Sequence, residues 1–271
     1  MSPSIPVPTA LGRVIDLKYP SNRWAVLGSL GAAAAARAAG RSWAGSLRVG
    51  LAGFAAWALA RELDPDAPRS ANLALPLAAL ATWQAGEESD DVAELAALLP
   101  AFTSLAGLRF ATESTGDAPR WYDSLALTGA TAATGQAGAH ASALLPALAV
   151  AASLLARDGL EPPTWLAPLL AAAGLVPQVW PDALHLPERR DNASAALAGA
   201  ALLLSPFLLP REGVDSETDN GQRRLSPERL QAARLVGLTG VGLGVAGGQA
   251  PAAMPLAAAS LMIGLRRALR A

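Results

Sequence analysis

The stretch WAGSLRVGLAGFAAWALARELDPDAPR, residues 43–69, decides how the chain is read. From Ala44 to Ala60 its only charge is Arg48; then Arg61, Glu62, Asp64 and Asp66 arrive together, broken by Pro65 and Pro68. A helix through the first part has no charged strip to turn toward water. Proline then ends it, since proline cannot continue a helix and biases the preceding residue toward extended backbone. An apolar run of this length with charge gathered at its end suits a bilayer core about 30 Å thick, which on the order of 20 helical residues cross.

The layout recurs. Trp24 to Gly40 carries only Arg37, and Asn72 to Gly86 carries no charge. Further runs are Val92 to Phe110, Tyr122 to Gly138, Ala139 to Ala156, Trp165 to Trp180, Ala193 to Leu209, Ala232 to Gly248 and Pro251 to Leu265. These segments predict an all-α polytopic membrane protein of about ten (eight to ten) transmembrane helices. They would form repeated helical hairpins near 22–60, 72–110, 122–157, 164–210 and 228–270, with a flexible loop at 211–227.

Composition points the same way, with 52% hydrophobic and 16% charged residues against roughly 25% charged in soluble domains. A net charge of −1 and two histidines leave no basic face for nucleic acid. Without cysteine, disulfides, thiol catalysis and Cys-ligated metals are excluded. The tryptophans fall at segment ends: Trp24, Trp43, Trp121 and Trp165 at starts, Trp57, Trp83 and Trp180 near finishes. Indole favours the headgroup level. The competing reading is a soluble alanine-rich α-solenoid, whose helices would need a charged solvent face.

A repeat underlies the layout. Glu62-Leu-Asp-Pro-Asp66-Ala67-Pro68-Arg69 returns as Glu113-Ser-Thr-Gly-Asp117-Ala118-Pro119-Arg120, with weaker echoes at Arg157–Trp165 and Arg211–Asp215. A period near 50 residues fits two helices per unit and puts the polar loops on one face. The alternative is that any helix leaving a bilayer ends in such residues. Arginine is concentrated on that face, which makes it cytoplasmic, with both termini inside and the protein in the inner (plasma) membrane. Residues 1–21 carry Pro3, Pro6, Pro8 and Pro20 and lack the pattern of a cleaved signal peptide.

Chemistry could reside in the echo loops. Glu62, Asp64, Asp66, Glu113 and Asp117 are candidate ligands for a cation, magnesium or calcium being the fitting ions. Arg69 and Arg120 are candidates for an anionic lipid headgroup. The plainer reading is helix termination with mutually screened charges. Helix centres are chemically quiet: Arg37, Arg48, Glu94, Arg109 and Arg234 lie within about two turns of an end, where long side chains snorkel.

Gln136 and His140 are expected to face water across a turn, and His185 beside Glu188 makes no metal site. Asp91-x-x-Glu94 and Ser226-Pro227-Glu228 read as helix caps. Gly237, Gly240, Gly244 and Gly248 form a small-residue stripe for helix packing, within the chain or in a homo-oligomer. There is no nucleophile elbow and no phosphate-binding loop. The expectation is therefore a non-enzymatic scaffold or passive conduit in the bilayer, free or in a larger membrane assembly. The alternative is a metal-dependent enzyme or binder acting on a phosphorylated lipid.

Overall fold

Local chemistry sets the helix boundaries. The computed structural model describes residues 9–13, 15–86, 90–156, 161–179 and 192–270. Arg157, Trp180, His185, Glu188 and the prolines before residue 9 lie outside these. Among the described residues the regular structure is helix, with one isolated bridge, Glu217 to Arg224, besides. The helices are α1 (Pro20–Ala38), α2 (Trp43–Leu63), α3 (Pro68–Gln84), α4 (Asp91–Ala96), α5 (Leu99–Thr112) and α6 (Trp121–Gln136). They continue as α7 (His140–Ser153), α8 (Leu166–Gly174), α9 (Asn192–Leu203), α10 (Ser205–Leu208), α11 (Pro227–Ala246) and α12 (Ala250–Ala268).

Proline opens α1, α3 and α11, where its missing N–H costs nothing. Ser226 caps α11 as the sequence suggests, accepting from the Arg229 amide at 3.3 Å. The cap of α4 is Asp90 rather than Asp91: its carboxylate accepts from Val92 and Ala93. Glu94 is instead buried in an ion pair with Arg48 at 2.8 Å.

Hydrogen bonds between turns show that the helices run alternately between two ends. At one end Gln136 accepts from the Val179 amide and donates to the Pro177 carbonyl, while Gln249 joins Gly138 to Ala141. At the other, the residues after α2 and α5 meet the ends of α11 and α12. With α4–α5 taken together and α9–α10 likewise, helix stands in each of the ten apolar segments. The 21 residues of α2 span about 30 Å.

The main core gathers Leu59, Leu75, Leu108, Leu145, Leu256 and Ile263 from α2, α3, α5, α7 and α12. Helices far apart in sequence therefore pack together, α12 against both α2 and α3 and α11 against α5 and α7. A solenoid, in which each repeat touches only its neighbours, is excluded by this packing. Glycine permits the closest crossings. A Cβ on Gly135 would stand 2.5 Å from the Gly174 carbonyl oxygen, and one on Gly107 would stand 2.8 Å from Pro146 Cα. The stripe on α11 is spent inside the chain: Gly240 faces Leu145 and Leu256, Gly244 faces Ala253, and Gly237 faces Leu256 and Leu63. Gly248 instead makes the left-handed turn before α12, with φ of +70°.

One helical stretch among the described residues, Asp91–Thr112, is long and apolar enough by length and composition to cross a membrane, and 67% of its most apolar window is buried in the bundle. His140–Ser153 and Asn192–Leu203 are apolar but shorter.

Candidate functional site

A helix end leaves carbonyl groups without partners, and this bundle satisfies them with arginines from other helices. Arg234 of α11 donates from Nε to the Leu63 carbonyl, the last of α2, at 2.8 Å. Arg229 reaches Ala111 near the end of α5 and donates to Ser153 Oγ at 2.6 Å. Arg267 of α12 donates to the carbonyls of Phe207 and Leu208 at the end of α10. Cations at these positions also complement the helix dipole.

The acidic residues that mark the echo loops receive the same arginines. Asp64 lies 2.9 Å from Arg266 and 3.8 Å from Arg234, and accepts from Ser70 Oγ. Glu113 sits 3.7 Å from Arg229, and Glu212 lies 2.5 Å from Arg267. Glu62, the counterpart of Glu113, is 2% exposed. It meets Arg109 at 3.2 Å, Arg13 at 3.6 Å and Thr112 Oγ1 at 3.3 Å. Glu62, Glu113 and Glu212 thus each fasten a distant helix from beside a helix end.

Two segments close over these loops. The connection between α10 and α11, expected to be flexible, has fixed partners. Asp66 accepts from the amides of Asp215 and Ser216 and from Ser216 Oγ. Asp219 and Asn220 donate backbone N–H groups to Ser114 and Thr115, and Asn220 Nδ2 reaches the Gly116 carbonyl. This strap therefore ties the first echo loop to the second. Residues 9–13 enter from the other side: Arg13 is bidentate to Asp219, the Leu11 carbonyl accepts from Arg109, and Asp123 receives Thr9 and the Ala10 amide.

The candidate cation ligands are consequently divided. Glu62, Asp64 and Asp66 face three different sets of partners, and among the described residues no three of His, Asp or Glu converge on a point that could hold a metal. Asp117 is half-buried on its turn, its amide directed at Thr115 Oγ1. Arg69 and Arg120 are exposed, and neither forms an ion pair among the described residues. Arg120 lies over the Tyr122 ring at 6.0 Å.

The residues missed from sequence are Arg13, Arg109, Arg229, Arg234, Arg266 and Arg267. Arg48, Glu94, Arg109 and Arg234 were expected to snorkel; the structure pairs them inside, because a partner within reach offsets the cost of burial. Gln136 and His140 do flank a turn, at Gly138 with φ of +85°. They do not simply face water: Gln136 is buried against residues 176–179, and His140 Nδ1 lies 3.2 Å from the Gly174 carbonyl.

Proton affinities at the cap follow from these contacts. Burial pushes the Asp64 carboxyl up, by more than Arg266, Arg234 and Ser70 pull it down. For Glu212 burial also works upward, but the hydrogen bond and charge of Arg267, helped by Arg234 and Arg266, hold it below the usual value of 4.5. Glu212 thus contributes stability above its ordinary value that is lost as pH falls through the lowered one. Asp64 contributes in the opposite sense, below its ordinary value of 3.8, losing it as pH rises through the raised one. Melting curves should show a wild-type advantage over Glu212→Gln above about pH 4.5 that closes on further acidification. A gap independent of pH would contradict the assignment.

Between the first echo loop, the strap and the ends of α11 and α12 lies a cavity of about 310 Å³. A second hollow, at the opposite end, is bounded by Ala39, Gly40, Arg41 and Trp83. Comparison with protein families, with curated proteins and with solved structures finds no match to this chain.

Proposed function

We propose that the chain is a multi-pass membrane protein acting as a non-enzymatic scaffold, with its charged cap and both termini on the cytoplasmic face. The observation carrying this reading is the inverted placement of polarity. Leu27, Leu30, Leu73, Leu80, Leu125 and Leu235 point outward along the passes, while Arg48, Glu62, Glu94, Arg229 and Arg234 are buried. Water-soluble proteins do the reverse with their charges. Outward apolar faces on helices this close-packed support a hydrocarbon surround.

The exposed tryptophans support a membrane setting. Trp24, Trp121 and Trp165 stand at the capped end and Trp43 at the other, as an interfacial belt requires. Trp57 is the exception, buried and donating to Ser21 Oγ. Short alanine-rich passes score weakly on hydropathy, but they allow close helix approach, which drives association in lipid. The glycine crossings at Gly107 and Gly135 leave little room between their helices, and the two cavities described sit at the ends. Both favour a scaffold over a conduit.

Alkaline carbonate extraction of cell membranes tests this. The protein is expected to remain in the pellet, and a later mild-detergent extract should hold it in a complex with other subunits. Release into the carbonate supernatant would overturn the membrane reading. A lone monomer in the detergent extract would overturn the scaffold.

A further inference from the structure

The cavity at the capped end is bounded by Asp64, Asp66, Glu212, Arg234, Arg266 and Arg270, with apolar and backbone atoms between them. Arg267 stands beside it, held 2.5 Å from Glu212. Four guanidinium groups therefore share three carboxylates. Asp64 serves Arg234 and Arg266, Glu212 serves Arg266 and Arg267, and Asp66 is turned to the strap. That leaves Arg270, exposed on the last residues after α12, with no ion pair among the described residues. Arg267 Nε adds a buried donor without a hydrogen-bond partner. With Arg61 also close by, donating to the Pro65 carbonyl, the cluster holds more positive charge than its carboxylates neutralise.

We infer that this cavity binds a phosphodiester group, received by Arg270 at the mouth and Arg266 beneath it. Guanidinium suits phosphate oxygens because its donors form a planar fork. A phosphodiester supplies negative charge that this arginine-rich cluster lacks, and inorganic phosphate is the comparison that tests the choice of a diester. The volume is at the small end for ligand sites and takes a headgroup rather than a whole lipid. Arg270 also sits where a headgroup would lie if the bundle is embedded. The inference needs only the cap, so it stands or falls separately from the membrane proposal.

The test is thermal unfolding of the full chain in a neutral detergent, followed by tryptophan fluorescence. Three probes are titrated: dihexanoyl phosphatidylglycerol, its water-soluble headgroup glycerophosphoglycerol, and inorganic phosphate. The lipid should raise the midpoint saturably, with an effect that weakens as sodium chloride is added. Arg270→Gln should raise the half-saturating concentration at least tenfold, and Arg23→Gln, at an exposed arginine away from the cavity, should leave it unchanged. A shift with the soluble headgroup equal to that with the lipid assigns the site to soluble phosphodiesters, and a shift with the lipid alone assigns it to the bilayer. No saturable shift with either diester, an equal shift in Arg270→Gln, or stronger binding of inorganic phosphate than of both diesters would overturn the inference.

Discussion

Replacing Glu62 with alanine is expected to destabilise the protein by about 3–5 kcal/mol, the cost of breaking a buried ion pair from one side. Glu62 is 2% exposed and is contacted by Arg109 at 3.2 Å and Arg13 at 3.6 Å. Without it, Arg109 keeps the Leu11 carbonyl and Arg13 keeps Asp219, but two guanidinium charges remain near one another with the shared carboxylate gone. Glu62→Gln should fall between wild type and alanine, since the amide retains an acceptor for Arg109 and Thr112. Glu228→Ala is the control: its pair with Arg211 is half-exposed on both sides, and such pairs contribute about 1 kcal/mol or less. Reversible unfolding in mixed micelles measures all three. Equal losses for Glu62→Ala and Glu228→Ala would remove Glu62 from its central place in the cap.

The second large effect is expected at a helix crossing. In Gly135→Val the new Cβ would stand 2.5 Å from the Gly174 carbonyl oxygen, a backbone atom of α8. Backbone cannot rotate aside as a side-chain terminus does, so α6 and α8 must separate. A loss at the upper end of overpacking costs, about 3 kcal/mol, follows. Gly129 is on the same helix, and a Cβ there would meet nothing within 4 Å. Gly129→Ala should therefore be neutral or stabilise by up to about 1 kcal/mol through helix propensity. The contrast separates packing from propensity within one helix: similar losses at both positions would mean that α6 and α8 do not cross here.

Much of the architecture was legible in the chain because helix formation and termination are local. Pro68 and Pro227 start helices, Ser226 caps one, and Asp64-Pro65 ends one, each acting on neighbours within a few residues. The apolar runs marked where helices form for the same reason. The echo of Glu62 in Glu113 was also visible, and both carboxylates prove to be buried at helix ends. Their role was not legible. Spacing alone made Glu62, Asp64 and Asp66 look like one cluster, because nothing local says that three nearby carboxylates turn in three directions.

The partners of the connection from 211 to 226 were hidden by the same limit. Its polar composition reads as a free loop, yet Asp66 and Ser114–Gly116 supply the partners its backbone needs. The glycine stripe on α11 fared better. Small residues at helical spacing announce a close approach, and only the identity of what approaches, Leu145, Leu256 and Ala253, had to come from the structure.

By itself the sequence determined the all-helical character, the positions of the helices and the gathering of charge at their ends, because hydropathy, proline and capping act over a turn or two of chain. Tertiary structure alone decided which carboxylate holds which arginine. Those partners lie far apart, 47 positions for Glu62 and Arg109 and 202 for Asp64 and Arg266. A buried charge takes whatever opposite charge the packing brings within reach, and that choice is made by the fold as a whole.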